Sequence, residues 1–370
     1  MSNTSPTDFP IEPTSPITRF EEIRNIVESE FAIEEGFVEH NIPTFYVQIR
    51  EDSKEAFLKL LDQLEPIGFI ATLRKRDDKA LLRILGKPYV KPSRPLINWV
   101  LLFATLGTVL IAGYWNALAQ GLPDPLVGAV MFAGAMMGIL GSHEMGHKLL
   151  ADSHHVEATY PYFIPGPPPL GTFGAVIQQK SLPPNKDSLF DVGVAGPIVG
   201  FLLAIVITMI GVPLSTFIRI LPTDPTLGTP MLFLFIERLF PPGAPLPPPE
   251  PGTVLAVVLH PVAFAGWVGM VITMLNLIPA GMLDGGHVTR SFLNNKIRTA
   301  LALAAVALLF ILNLYVWAMI ALFFSLYRHP GPLDDVSKAT TKRKLAAIAL
   351  LVVFIICIPL PPEVYDLLPI

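Results

Sequence analysis

His143-Glu144-Met145-Gly146-His147 closes an apolar run, Leu126 to Leu140, that carries no charge. A run of this length and polarity predicts a helix, and a helix sets residues four apart on one face. His143 and His147 then project together and can bind one metal ion. Glu144 stands beside the first histidine, placed to take a proton from an attacking water. The pentapeptide alone recurs by chance in chains of this size. Its setting gives it weight, because two imidazoles and a carboxylate in a hydrocarbon-compatible helix need a partner or a function.

Far downstream, Asn276-Leu277-Ile278-Pro279 precedes Leu283-Asp284-Gly285-Gly286. A catalytic zinc takes three protein ligands, so the histidine pair is one short. Asp284 is the leading candidate. It follows an apolar segment, and the glycines after it let the backbone turn and approach closely. A carboxylate at that depth is costly unless a dication compensates it. Asp284 also fits the N-cap of the next helix, and the two roles are compatible. Asn276, in a helix that Pro279 breaks, fits a hydrogen bond to a substrate carbonyl or simple helix packing. His287 reads as a supporting residue and not as a ligand. His154 and His155, in a polar loop, read as solvated. Zinc suits the ligand set, which also admits another divalent ion. The single cysteine, Cys357, excludes a disulfide framework or a Cys-based metal site within one chain.

The chain is 52% hydrophobic and 15% charged, with mean hydropathy +0.54. Soluble domains carry about 25% charge. Here about half of the charged residues precede Pro95, so the remainder is poorer still and reads as a membrane domain. A net charge of -4 and the lack of a basic patch exclude a nucleic-acid partner. The polar, acidic N-terminus has no signal-peptide core, so the membrane segments themselves would direct insertion.

Three regions follow. Residues 1–17, rich in Ser, Thr and Pro, read as disordered. Residues 18–92 read as a small soluble α+β domain. It has a helix at Thr18–Phe31 with Thr18 and Glu21 as a capping box, a strand at Thr44–Ile49 and a helix at Lys54–Leu64. A hairpin of Phe69–Leu73 and Ala80–Leu85 turns at Arg76-Asp77-Asp78. Such a β-α-β-β module suits regulation, dimerisation, partner binding or plain stabilisation. Residues 96–362 read as an α-helical polytopic membrane domain of about six spans. These are Ile97–Leu118, Leu126–Leu150, Phe190–Val212, Val254–Ile278, Ala300–Tyr327 and Leu345–Leu360.

Prolines from Pro161 to Pro169 forbid a continuous helix there. The following Gly171–Gln178 is apolar, Gly-rich and β-prone. It reads as a re-entrant β-like loop or hairpin whose edge can pair with an extended peptide, or as a connector. In the Pro-rich stretch 213–252, Met231–Phe240 is too short to cross and reads as interfacial. With the N-terminal domain in the cytoplasm, His147 and Asp284 both face that side, together with Lys87, Lys91, Lys148, Lys180, Arg290, Lys296 and Arg298. Lys338, Lys342, Arg343 and Lys344 fall on the other side, against the positive-inside rule, which marks the last two spans as the weak point.

Taken together, these motifs resemble the site-2 protease family, the intramembrane zinc metalloproteases. His143-Glu144-x-x-His147 resembles that family's first motif, and Asn276-x-x-Pro279 with Leu283-Asp284-Gly285 its second. Gly171, Thr172, Phe173 and Gly174 resemble the glycine-bearing strand that lines its site. The resemblance runs from about Leu126 to Arg290. Tyr162-Phe163-Ile164-Pro165, Phe190-Asp191-Val192, Gly196-Pro197, His260-Pro261 and the stretch from Pro330 to Asp335 resemble the branch with plant plastid, archaeal and cyanobacterial members. The resemblance implies zinc held by His143, His147 and Asp284, Glu144 as general base, and Asn276 as a substrate-stabilising residue. It implies a membrane-protein substrate cleaved in its transmembrane helix near the cytosolic side of the lipid bilayer. No PDZ-like insertion stands in the 160–190 or 213–252 loops, so rules of regulation do not transfer.

The N-terminus is not transit-like, so the expected setting is a prokaryotic cell membrane with the active site toward the cytoplasm. Oligomeric state is left open. The competing reading is a transporter or channel with a metal site on its path. It explains His143, His147 and Asp284 and gives Glu144 no task. A metalloprotease with a downstream glutamate ligand finds only Glu237, in the interfacial stretch.

Overall fold

The computed structural model describes residues 19–76, 79–89, 94–224, 226–327 and 329–361. The expectations for residues 1–17, Thr18, Asp77 and Asp78 lie outside them. The chain divides into two compact units. One comprises Met1–Lys91, Pro184–Lys186 and Pro332–Lys338, and the other holds the rest.

In the first unit, α1 (Phe20–Glu30) buries Ile23 and Val27, while α2 (Ser53–Leu64) buries Phe57, Leu60 and Leu64, each at helical spacing. The sheet comprises β1 (Ile33–Glu39), β2 (Ile42–Val47), β3 (Phe69–Arg76) and β4 (Lys79–Gly86). Its order is β1-β2-β4-β3, all antiparallel. Phe45, Leu73, Leu82 and Ile84 are its largest fully buried side chains. The expected β-α-β-β order lacks β1. Glu34, Glu35 and Glu39 break the apolar alternation there, and Glu39 instead pairs with Arg83 on β4. The signal is the turn: His40 and Asn41 both have positive φ, 50° and 65°, as a type I′ hairpin requires.

The outer edge of β3 is covered by a distant segment of the same unit. The Leu73 amide donates to the Leu333 carbonyl at 2.9 Å, and the Asp335 amide donates to the Leu73 carbonyl at 3.0 Å. The Arg74 guanidinium also donates to Leu333, at 2.6 Å. Asp334 is fully buried, and its Oδ1 accepts the amides of Val336 and Ser337 at 2.8 and 2.9 Å. An unpaired strand edge is thereby satisfied from within the chain.

The second unit is mostly helical. Three of its helices are long and apolar enough to cross a membrane: α3 (Pro95–Ala119), α4 (Pro125–Ser153) and α5 (Lys186–Gly211), whose last turn continues to Leu214. Asp124 starts α4 by accepting the amides of Leu126 and Val127, with Pro125 in the first turn. Between α4 and α5, β5 (Tyr162–Pro165) and β6 (Thr172–Val176) form an antiparallel hairpin beside α3 and α4. Next come β7 (Thr216–Ile220), β8 (Thr229–Pro230), α6 (Met231–Leu239) and β9 (Val254–Val258). Then α7 (Pro261–Asn276), α8 (Asp284–Arg290), α9 (Asn295–Ile311), α10 (Tyr315–Ser325), α11 (Thr341–Ile356) and β10 (Pro359–Leu360) complete the order. In the core, α4 packs between α3 and α7, joining Phe132, Met136 and Ile139 to Val109, Ala112, Val268 and Met270. The outer faces leave Trp99, Phe103, Trp115, Leu202, Val206 and Leu351 exposed, as a lipid-facing surface does.

Two expected spans take another form. Val254–Ile278 is not one helix: its β-branched start is strand β9, paired with β7, and the helix begins only at Pro261, capped by His260. Ala300–Tyr327 is interrupted at Asn313, in the left-handed conformation with φ 60°. The resulting α9–α10 hairpin returns the chain to α8, where His329 Nε2 lies 2.8 Å from His287 Nδ1. Arg343 of α11 bonds to Asp191 on the turn of α5 whose Val192 carbonyl meets His147.

Replacing Asp334 with Ala removes the acceptor of two amides and is expected to destabilise the first unit by about 1–2 kcal/mol. Amide exchange read by mass spectrometry should quicken at Leu73, Asp335 and Val336. Unaltered exchange there would show that this segment does not hold the β3 edge.

Candidate metal centre

The centre is built where three segments of the second unit converge. On α4, the spacing of four puts the His143 and His147 rings 4.9 Å apart between centroids, with their Nε2 atoms 3.1 Å apart. Asp284, first residue of α8, reaches both: Oδ2 lies 3.3 Å from His143 Nε2, and Oδ1 lies 3.2 Å from His147 Nε2. One ligand atom from each of the three lies within 4.8 Å of the others. A tetrahedral zinc with bonds of about 2.0–2.1 Å needs ligand atoms about 3.3 Å apart. The donor spacing matches that edge.

The proton positions point the same way. A carbonyl can only accept, so His147 Nδ1, 2.6 Å from the Val192 carbonyl, carries the hydrogen. In the neutral ring Nε2 then presents a lone pair. The Asn276 amide nitrogen, which can only donate, is 3.2 Å from His143 Nε2, so it faces the lone pair of that nitrogen that an ion would take in its place. Two lone pairs and a carboxylate converge among buried side chains, where their mutual repulsion calls for a cation.

Glycines let the backbones come this close. A Cβ on Gly196 of α5 would strike the His147 ring, one on Gly200 would lie 3.1 Å from His143 Nδ1, and one on Gly146 would lie 2.8 Å from the Ala195 carbonyl. Residues 196 and 200 are one turn apart, so α5 offers one smooth strip to both rings. At the other motif, Cβ atoms on Gly285 and Gly286 would strike the carbonyls of Leu277 and Ala280. Only glycine permits the turn that folds α8 back beneath α7. Asp284 is not the N-cap of α8. Leu283 holds that position without a side-chain cap, and the carboxylate is turned to the imidazoles.

Glu144 is buried, with Oε1 3.9 Å from His143 Nε2. The backbone of Ile177, just past β6, hydrogen-bonds to it, so the hairpin ends beside this carboxylate. Among Gly171, Thr172, Phe173 and Gly174, Thr172 spends its hydroxyl on the hairpin, donating to Ile164 at 2.8 Å and accepting from Gly174 at 2.9 Å. Gly171 packs on the α3 backbone at Thr108 and Val109, and Gly174 takes φ 105°. Phe173 alone presents a largely exposed side chain. His154 departs from the solvated reading: it lies 3.0 Å from Asp191. Glu237 lies in α6 and is not part of the metal-ligand group. The sequence reading missed the Val192 carbonyl, the glycine strip and His329. The i, i+4 spacing of Gly196 and Gly200 was the available signal.

Residues 131–319, which contain all of these groups on α4, α5, α7 and α8, match the model of Peptidase family M50. The chain belongs to that family. Within it, two similar proteins are probable chloroplastic zinc metalloproteases of Arabidopsis thaliana. EGY2 is 32% identical over 66% of this chain and 43% of its own length. EGY1 is 31% identical over 65% and 45%. The EGY2 protein of Oryza sativa subsp. indica is 29% identical over 78% of this chain and 55% of its own length. The chain thus spans about half the length of these relatives. No solved structure matches.

Two substitutions test the geometry. Asp284→Ala removes a donor and should lower affinity for zinc by roughly a hundredfold or more. Gly196→Ala, which leaves all three donor residues in place but drives a Cβ against the Nε2 side of the His147 ring, should also weaken binding by displacing that ring. Chelator competition on the purified chain reads both, and full retention by Asp284→Ala would refute the ligand set.

Proposed function

We propose that this chain is an intramembrane zinc metalloprotease that hydrolyses a peptide bond in or near a transmembrane helix of a membrane-protein substrate. The observation that carries this reading is the convergence of His143, His147 and Asp284 from distant segments, with the Glu144 carboxylate buried beside them. The family supports it, as do relatives whose names specify zinc metalloproteases.

His143, His147 and Asp284 would hold the ion, which when bound supplies Lewis acidity to the scissile carbonyl and the attacking water. Glu144 takes the proton of that water and later returns it to the leaving amine. A helical substrate has its amides internally bonded, so the segment to be cut must first become extended. The β5–β6 hairpin, ending at Ile177 beside Glu144, offers a strand edge to receive it, with Phe173 as its most exposed large apolar side chain. Asn276 lies where its amide can bond the substrate backbone near His143.

The long helices α3, α4 and α5 cross the bilayer, and the shorter α7, the α9–α10 hairpin and α11 complete the bundle. The site end carries Lys148, Arg290, Arg343 and Lys344, and by the positive-inside rule this charge supports a site facing the cytoplasm. A transporter with an ion on its path would use the ligands and leave Glu144 without a task.

The discriminating experiment is co-expression with candidate single-span membrane proteins. Glu144→Gln should cut turnover by about 10²–10⁴-fold while the metal stays bound. Unaltered cleavage would contradict the assignment of the base. Metal-dependent ion flux without any proteolysis would favour the transporter.

A further inference from the structure

The end of the metal helix carries a polar cluster that the proposed chemistry does not use. His154 lies seven residues after His147, as the C-cap residue directly after α4. Its Nε2 is 3.0 Å from Asp191 Oδ2. Asp191, in the second turn of α5, also takes a forked contact from Arg343: Nε to Oδ1 at 2.7 Å and an Nη2 to Oδ2 at 2.5 Å. The third guanidinium nitrogen lies 3.1 Å from Asp187, one turn earlier on α5. The Thr340 amide donates to Asp187 at 2.9 Å, and Arg343 Nη1 donates to the Thr340 hydroxyl at 2.9 Å. None of these ionic side chains is more than about a quarter exposed, so the fork is better shielded than a typical surface pair.

Asp191 is followed directly by Val192, whose carbonyl accepts the Nδ1 hydrogen of His147. That bond sets which nitrogen of the ring faces the other two donors. The carbonyl's position depends on the register of the first turns of α5 against the end of α4. The glycine contacts at Gly146, Gly196 and Gly200 bring the two helices close with few side chains between them, and beside Val192 the buried packing is the small cluster of Ala151, Val156 and Val192. The ionic cluster supplies the lock.

We infer that Asp191 is a positioning residue for the metal centre. Through Arg343 of α11 and His154 at the C-cap of α4 it pins the start of α5 so that the Val192 carbonyl holds the His147 ring in its ligating tautomer. Arg343 lies beyond the region matched by the family model, so the last helix contributes to the centre without touching it. This inference rests on the reading of the site as a metal centre.

The test uses the full chain in detergent or nanodiscs, with zinc affinity read by competition with a chromophoric chelator. The visible spectrum of the cobalt-loaded protein and the thermal midpoint are read alongside. Asp191→Asn and Arg343→Ala should each weaken zinc binding about 10–100-fold and alter the cobalt bands. Arg343→Lys, which keeps charge without the fork, should fall between them and wild type, and serves if the alanine variant does not fold. A lowered thermal midpoint with wild-type zinc affinity and cobalt bands would reduce the cluster to structural support and overturn the proposal. A wild-type chain that binds neither ion would instead remove the metal-centre reading itself.

Discussion

Two imidazole nitrogens 3.1 Å apart, faced by a carboxylate 3.2–3.3 Å from each, are held inside an apolar helical unit. With both nitrogens unprotonated, that arrangement is repulsive, and in low dielectric the repulsion is barely screened. The surroundings nonetheless hold these groups together from several directions. The Val192 carbonyl holds one ring, Asn276 meets the other, and paired glycines turn the chain so that Asp284 arrives at the right place. A centre so constrained is suited to a cation, and the rest of the second unit is organised to deliver its donors.

Delivery depends on what is missing from the helices as much as on what they carry. The strip of Gly196 and Gly200 on α5 lets both rings lie flat, and Gly285 and Gly286 let α8 fold under the end of α7. Small residues give close approach and little resistance to sliding. Close approach therefore needs a separate means of fixing register. Polar contacts at helix ends supply it here, in a region where charged side chains can still reach water.

Much of this was legible in the sequence, for identifiable reasons. The histidine spacing, the uncharged run before it and the Asp-Gly-Gly turn are local patterns with direct geometric consequences. The long apolar helices followed from composition over a window. What was not legible depended on partners far away in the chain. Val254 to Ile278 looks like a continuous apolar span, and only the presence of β7 makes its start a strand. Asn313 reads as an ordinary polar residue in a long helix, yet its left-handed backbone turns one expected span into the α9–α10 hairpin. Strand β1 was hidden by glutamates that find their partner on β4. His154 looked solvated because Asp191 and Arg343 are distant in sequence.

The account stands on a single ion enclosed by ligands from α4 and α8. X-ray absorption at the zinc edge, on the purified full-length chain, reads that enclosure directly. It should show two imidazole nitrogens and a carboxylate oxygen in a four-coordinate shell at about 2.0–2.2 Å. A shell containing sulfur from Cys357, or one with a single imidazole, would contradict it.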